Sequence, residues 1–311
     1  MRTEPVLTAW DETQAALWGH QPQRLQHRLH ASPLFSMEAL ARLIEVYPRE
    51  HYSLIHMGGR NERRSWREGE IGGLSGAEVM NAIANGRMWL NLRNLTGVDA
   101  RYKALLDDVF DELSERVPHF SAPQRSAGIL ISSPEAQVYY HADLPGQCLW
   151  QLVGKKRVWL YPTTAPFITP EQIEDIALFD VEVDLPYAPW YDEHARVVDL
   201  EPGHMLHWPL NAPHRVENLG TVNVSMTVSY GNPEIRRRQV VSLANGLLRH
   251  RFGIAPKSRA ITGPAYWSKA VLQKALRDSQ WVKRERKARR KVDFTLDAKR
   301  PGQILDLPAA A

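Results

Sequence analysis

The stretch Tyr139-Tyr140-His141-Ala142-Asp143 holds a histidine and a carboxylate two positions apart, and His214 follows His141 by 73 residues. On a strand, residues i and i+2 point to one face, so the His141 imidazole and the Asp143 carboxylate can share an ion. A second histidine brought in from a distant strand makes a set of two His and one carboxylate. That donor set suits Fe(II) and leaves coordination positions open for a co-substrate and O2. His-x-Asp alone arises often by chance. The segments that follow each half give it weight.

After the first half come two β-rich runs, Gln147-Cys148-Leu149-Trp150-Gln151-Leu152-Val153 and Lys156-Arg157-Val158-Trp159-Leu160, around the pair Gly154-Lys155. The spacing predicts a two-residue hairpin with Gly at its first turn position. In that register Val153 faces Lys156, Gln151 faces Val158 and Leu149 faces Leu160. Lys156 is then the one cation on a face of apolar and amide side chains that includes Gln147. A buried ammonium needs an anion. The dicarboxylate 2-oxoglutarate supplies one, with its keto-acid end on the metal. A solvated turn lysine is the competing reading, and periodicity alone leaves the two open.

The second half reads Glu201-Pro202-Gly203-His204-Met205-Leu206-His207-Trp208-Pro209, then Leu210-Asn211-Ala212-Pro213-His214-Arg215. Pro-Gly opens a turn, a short apolar strand follows, and a second turn delivers His214 onto the next strand. The motifs His141-x-Asp143, Gly154-x-Lys156-Arg157 and Gly203…Pro209…His214 occur in that order. In them the chain resembles the JmjC and cupin-like Fe(II)- and 2-oxoglutarate-dependent hydroxylases, the group that includes the asparaginyl hydroxylase of hypoxia-inducible factor. The resemblance covers residues 125–232, with a weaker echo back to 87.

That resemblance implies a mainly β fold: a double-stranded β-helix (jelly-roll) core with helices before and after it. It implies that His141, Asp143 and His214 bind Fe(II), and that Lys156 binds the distal carboxylate of 2-oxoglutarate. Gln147 falls where relatives place an amide near the co-substrate. Thr227 falls near a position that bonds the iron-side carboxylate. Asn91, on a strand expected at 87–92, is a further candidate against the plainer reading of an edge-strand polar residue. Val138 stands where many relatives carry Thr or Ser, and His204 where an acidic residue is common. The implied reaction hydroxylates a substrate C–H bond and releases succinate and CO2. A protein or peptide side chain is the expected substrate, by likeness to the protein hydroxylases. A non-catalytic cupin-type binding protein and a metal-dependent cupin enzyme acting on a small molecule stay open, but neither needs a buried cation at Lys156.

His204, His207 and His214 offer an alternative zinc set. On a strand, i and i+3 point to opposite faces, so His204 and His207 should diverge. The remaining histidines (His20, His27, His30, His51, His56, His119, His194, His250) lack ligand spacing and read as surface or locally bonded. Cys148, the only cysteine, has no disulfide partner in the chain and reads as a small packed side chain.

At 311 residues, with 43% hydrophobic and 24% charged side chains, the composition is that of a globular protein able to bury a substantial core. No apolar run approaches the roughly 20 residues of a membrane span, and no basic-then-apolar secretion signal opens the sequence. Cytoplasmic residence is the expectation. Charge divides the chain. Residues 235–300 carry 19 Lys/Arg against 4 Asp/Glu, while the remainder carries 20 against 31. The division places a boundary near Asn232-Pro233. With the element pattern ahead of the core, the expected regions are an N-terminal helical region (1–86), the catalytic core (87–232) and a basic C-terminal helical region (233–311).

The elements that must position these residues are legible in part. Ser36 caps a helix ending before Pro48, with Leu40, Leu43 and Ile44 on one face. Ser75-x-x-Glu78 is a capping box for a helix that stops at Asn85-Gly86. Residues 102–116 read as an amphipathic helix. Gly58-Gly59 and residues 60–70 read as a mobile loop. Helices are expected over 239–251 and onward from Pro264 through Trp267, Val271, Leu272, Ala275 and Leu276. An apolar stripe with Trp267 and Trp281 suits pairing two subunits or packing on the chain's own domain. The basic run 283–291 reads first as a solvated helix end and second as a site for an acidic or nucleic-acid partner. No proposed ligand lies beyond Thr227, so truncation before Lys283 is expected to spare the active site.

Overall fold

Between residues 124 and 231 the chain winds back and forth between two facing sheets. The computed structural model describes residues 4–58, 66–179, 185–288 and 292–308. Among them are β1 (Leu7–Ala9), β2 (Gln23–His27), β3 (Tyr52–His56), β4 (Arg67–Glu70) and β5 (Met88–Leu92). The winding core follows as β6 (Gln124–Ser132), β7 (Gln137–His141), β8 (Gly146–Val153), β9 (Lys156–Leu160) and β10 (Arg196–Leu200). It closes with β11 (His204–Trp208), β12 (His214–Asn218) and β13 (Asn223–Gly231), and β14 (Val292–Leu296) and β15 (Ile304–Asp306) come last.

Strands β11-β8-β13-β6 form one wall and β10-β9-β12-β7 the other, all neighbours antiparallel. This is the double-stranded β-helix. The first wall extends through β2 and β1 at one edge and β5, β3, β4, β14 and β15 at the other. Sequence around the core therefore supplies strands as well as helices. β14 joins β4 in a parallel pair and buries Phe294 and Leu296, which the helical reading of the C-terminal region missed. The segment 60–70 was expected to be a loop, but Arg67–Glu70 forms β4 between β3 and β14. Residues 59–65 lie outside the described residues.

The expected hairpin at Gly154-Lys155 does not form. β8 pairs with β11 and β13, and β9 pairs with β10 and β12, so the turn carries the chain from one wall to the other. Leu149 sits opposite Leu206 and Thr227 rather than Leu160. Leu149, Val158 and Leu160 nonetheless share one apolar cluster, because they meet across the gap between the sheets. Val153 leaves that face: the ladder slips between Val224 and Ser225, and Val153 packs with the outer core instead. Glycine is required at the crossing. Gly154 has φ +75°, and a Cβ there would lie 2.3 Å from the Val222 carbonyl oxygen.

Helices cover the large sheet. Met37–Glu45 is capped by Ser36, Gly76–Asn85 opens on the Ser75/Glu78 capping box, and Ala100–Arg116 buries Leu106, Val109, Phe110 and Leu113. A layer of aromatic side chains, Tyr140, Tyr161, Phe167 and Tyr191 among them, covers the outside of the smaller sheet. Beyond β13, Asn232 caps the helix Pro233–Phe252, which starts six residues before the expected 239. Gly263–Leu276 and Gln280–Ala288 follow. On Gly263–Leu276 the apolar stripe faces outward, with Trp267 64% and Val271 68% exposed. No helix among the described residues is long and apolar enough to cross a membrane.

Candidate active site

β7 ends on His141 and β12 begins on His214, and the two residues sit directly opposite in the ladder. Asp143 follows two residues past the end of β7. Donor atoms of His141, Asp143 and His214 all lie within 4.8 Å of one another. His214 Nε2 stands 3.5 Å from Asp143 Oδ2, and the two rings are 4.1 Å apart. Nitrogen and oxygen ligands sit about 2.0–2.2 Å from a bound ion, so this separation fits one shared metal. The donor set, two imidazoles and one carboxylate, is that of a non-haem iron site.

Each imidazole is held by its other nitrogen. The Nδ1 of His141 lies 2.7 Å from the Tyr139 carbonyl oxygen, and that of His214 lies 3.0 Å from the Ala212 carbonyl oxygen. A carbonyl only accepts, so both Nδ1 atoms carry the proton and both Nε2 lone pairs are left for a metal. Burial, with His141 close by, holds His214 well below the ordinary imidazole range. That keeps it in the ligating neutral form. Asp143 keeps 33% of its side-chain surface open. It lies deep enough for desolvation to push its carboxyl up, against the opposing pull of His141.

A cavity of about 360 Å³ opens from these three residues into the space between the sheets. Lys156, Gln147 and Thr227 line it, so the six residues that the resemblance assigns to metal and co-substrate border one space. Lys156 is 1% exposed and has no hydrogen bond or ion pair among the described residues. Stripped of water with no counter-charge, its ammonium falls to about 7. The solvated-turn reading is excluded by that burial. Buried amides and a hydroxyl brace the turn beside it. Gln151 Nε2 donates to the Val153 and Gly154 carbonyls and to Asn223 Oδ1, and Ser225 donates to Gln151 Oε1. Asn223 Nδ2 in turn donates to the Lys155 carbonyl at 3.0 Å.

Gln147 accepts a hydrogen bond from Ser229 at 3.1 Å, and Thr227 donates to the Gly128 carbonyl at 3.4 Å. Asn91 and Val138 also line the cavity. Sequence reasoning passed over three residues here. Ser229 lies on the inward face two residues after Thr227, a period-2 signal that was available. Gly128 leaves room where a Cβ would lie 3.0 Å from the Leu92 carbonyl oxygen. Asn211 donates from Nδ2 to the Asp143 carbonyl oxygen at 2.6 Å.

The alternative zinc set does not assemble. His207 Nε2 accepts from the Gly19 amide at 3.0 Å while Nδ1 meets the Gln147 carbonyl at 2.9 Å, and the ring stacks on Trp18. Both its nitrogens are used. His204 Nδ1 accepts from the Glu201 amide on the far side of β11. Among the described residues, His141, Asp143 and His214 form the one cluster able to hold a metal. Of the other histidines His27 is buried, with Nδ1 accepting from the Leu29 amide and Nε2 bonded to the His204 carbonyl.

Residues 79–234 match the family described as the Cupin-like domain. The tRNA wybutosine-synthesizing protein 5 of Danio rerio is 37% identical over 130 residues, a match spanning 38% of this chain and 38% of that protein's length. Among solved structures, Escherichia coli ycfD aligns with a TM-score of 0.52 at 16% identity, covering 93% of this chain and 74% of that one. YcfD, described as a ribosomal oxygenase from Escherichia coli in complex with cobalt and 2-oxoglutarate, aligns at 0.50, also at 16% identity, over 94% and 74% of the two chains. At that identity the likeness is one of fold.

Proposed function

The chain belongs to the Cupin-like domain family, and we propose that it is an Fe(II)- and 2-oxoglutarate-dependent oxygenase that hydroxylates a C–H bond of a protein or peptide side chain. One observation carries this reading: the two-histidine, one-carboxylate cluster and the buried, unpartnered Lys156 border a single cavity. A metal site alone would suit many cupins. A lysine stripped of solvent on the wall of that cavity calls for an anion, and a keto-dicarboxylate offers one carboxylate to it and a chelating end to the metal.

His141, Asp143 and His214 hold the iron, and Lys156 pairs with the distal carboxylate of 2-oxoglutarate. Gln147 and Thr227 face the same space as hydrogen-bonding partners for the co-substrate. Bound iron supplies the oxidation, with 2-oxoglutarate and O2 consumed and succinate and CO2 released. The chain itself positions the reactants and excludes water. Trp89 lines the cavity and meets Trp66 edge-on at 4.8 Å, and Trp66 stacks on Tyr139 at 5.6 Å. This aromatic wall suits the approach of a side chain. A structure of the same fold holding cobalt and 2-oxoglutarate supports the cofactor assignment.

Pairing of two copies through the C-terminal helices belongs to the same reading, supported by the outward Trp267 and Val271. Cytoplasmic residence goes with it, since ferrous iron and a central metabolite are met there. Within the basic segment after residue 280, Val282 is buried and Arg286 donates to the Leu178 and Ala177 carbonyls, so the described part packs on the chain itself. Residues 289–291 lie outside the described residues. The test is anaerobic addition of Fe(II) and then 2-oxoglutarate to the metal-free protein. The expected result is the visible charge-transfer band of the chelate, lost in Asp143→Ala. Tight iron binding with no band on adding 2-oxoglutarate would favour a cupin enzyme of another kind, and no iron binding at all a plain binding protein.

A further inference from the structure

We infer that Asn211 is a positioning residue for the metal site, coupling the placement of Asp143 to that of His214. This rests on the reading of His141, Asp143 and His214 as metal ligands. Asp143 lies beyond the last residue of β7 and outside any strand, so no ladder fixes its backbone. The Asn211 amide makes up for that, donating to the Asp143 carbonyl oxygen at 2.6 Å across 68 residues of sequence. The same turn, residues 209–213, orients the other half of the site. Its Ala212 carbonyl accepts from His214 Nδ1, and its Pro213 carbonyl accepts from the Tyr161 amide. One turn thus aims an imidazole through its backbone and a carboxylate through a side chain.

The residue type fits both demands. Asn211 has φ 61°, in the left-handed region that costs most L-residues about 1–2 kcal/mol and that asparagine tolerates. Glycine tolerates that conformation equally but has no amide. Aspartate tolerates it and has the length, but would set an acceptor against an acceptor. The backbone demand and the hydrogen-bond demand can therefore be separated by substitution.

The experiment titrates metal-free wild type, Asn211→Gly and Asn211→Asp with Co(II), recording affinity and the ligand-field band, alongside melting of the metal-free proteins. Partners of metal ligands typically contribute about 10–100-fold to metal affinity. Asn211→Gly should bind Co(II) at least about tenfold more weakly, with an altered band and a melting temperature close to wild type. Asn211→Asp should be weakened as much or more. Wild-type affinity and an unchanged band in Asn211→Gly would overturn the inference while leaving the triad standing. Failure of wild type itself to bind Co(II) would overturn the metal reading, and this inference with it.

Discussion

His141 and His214 face each other across one rung of the ladder, each with Nδ1 turned onto the carbonyl of the residue two positions before it. The arrangement is self-similar, and it leaves both Nε2 lone pairs free for a metal before any ion arrives. Pre-orientation of this kind removes the cost of arranging ligands on binding. Metal affinity should therefore collapse when a ligand is removed. In His141→Ala or Asp143→Ala the loss should exceed the roughly 10–100-fold typical of an outer partner, with the fold retained. His204→Ala should leave metal content at the wild-type value. Metal analysis of the purified variants checks this, and full stoichiometry in both ligand variants would sink the assignment.

Lys156 gives the second prediction, with its own pH signature. Truncating one partner of a buried ion pair costs about 2–5 kcal/mol, so Lys156→Ala should weaken 2-oxoglutarate binding by that amount and leave iron affinity nearly unchanged. The free ammonium titrates at about 7 because burial disfavours its charge. Above that pH the lysine is mostly neutral, and binding a dianion must draw a proton from solvent. Affinity should fall about tenfold per pH unit above 7 in wild type and lose that slope in Lys156→Ala. Calorimetry in buffers of different ionisation heat reads the proton uptake directly. A pH-independent affinity would mean that Lys156 does not meet the carboxylate.

Lys156 also shows how far the sequence reaches. Periodicity left its burial open, and the hairpin register that put it on one face with Leu149, Val158 and Leu160 does not exist, although those three apolar residues do share a cluster. Alternation says which side chains share a face, and it does not say whether two neighbouring runs pair or stand in opposite walls. A Gly-X turn with positive φ serves both outcomes. The triad was legible because His141 and Asp143 stand two positions apart and both histidines fall at strand ends, although Asp143 itself lies past the end of β7. Asn211 was not, because its role depends on a contact across 68 residues that no local pattern encodes. His207 shows the opposite limit: spacing alone made it a candidate ligand, and only the Gly19 amide and the Trp18 ring reveal a satisfied core side chain.

Acid stability should carry the mark of the two buried histidines outside the metal cluster, His27 and His207. Burial lowers His27 and His207 to about 4 from an ordinary 6.5. Between those values the unfolded chain takes protons that the folded one refuses, so stability rises with pH through this window and is lost as pH falls from 6.5 toward 4. Each ring should account for about 3 kcal/mol at the acid end. Urea midpoints at a series of pH values, with NMR titration of the two rings, measure both sides of the linkage. Folded-state titration near 6.5 for either ring would remove its share.

The last prediction concerns the stability of the chain after Lys283, whose loss was expected from the sequence to spare the active site. Phe294 is 0% exposed and packs against Gly69, where a Cβ would come within 2.3 Å of its ring. Leu296 is buried beside it, and β14 pads the edge of β4 while β15 pairs on its other side. Arg67 reaches from β4 to Asp293 at 3.0 Å and to Asp306 at 2.6 Å, so side chains also tie this edge to both C-terminal strands. Truncation before Lys283 would strip a strand pair and two core side chains from the sheet that builds one wall of the cavity. Phe294→Ala should cost about 3–5 kcal/mol, the range for emptying a phenylalanine site in a packed core. Chemical denaturation of the full-length variant measures that cost directly, and the truncated chain should melt well below wild type. A truncation that retains the wild-type midpoint would show that β14 and β15 only decorate the sheet and that its edge is stable at β4.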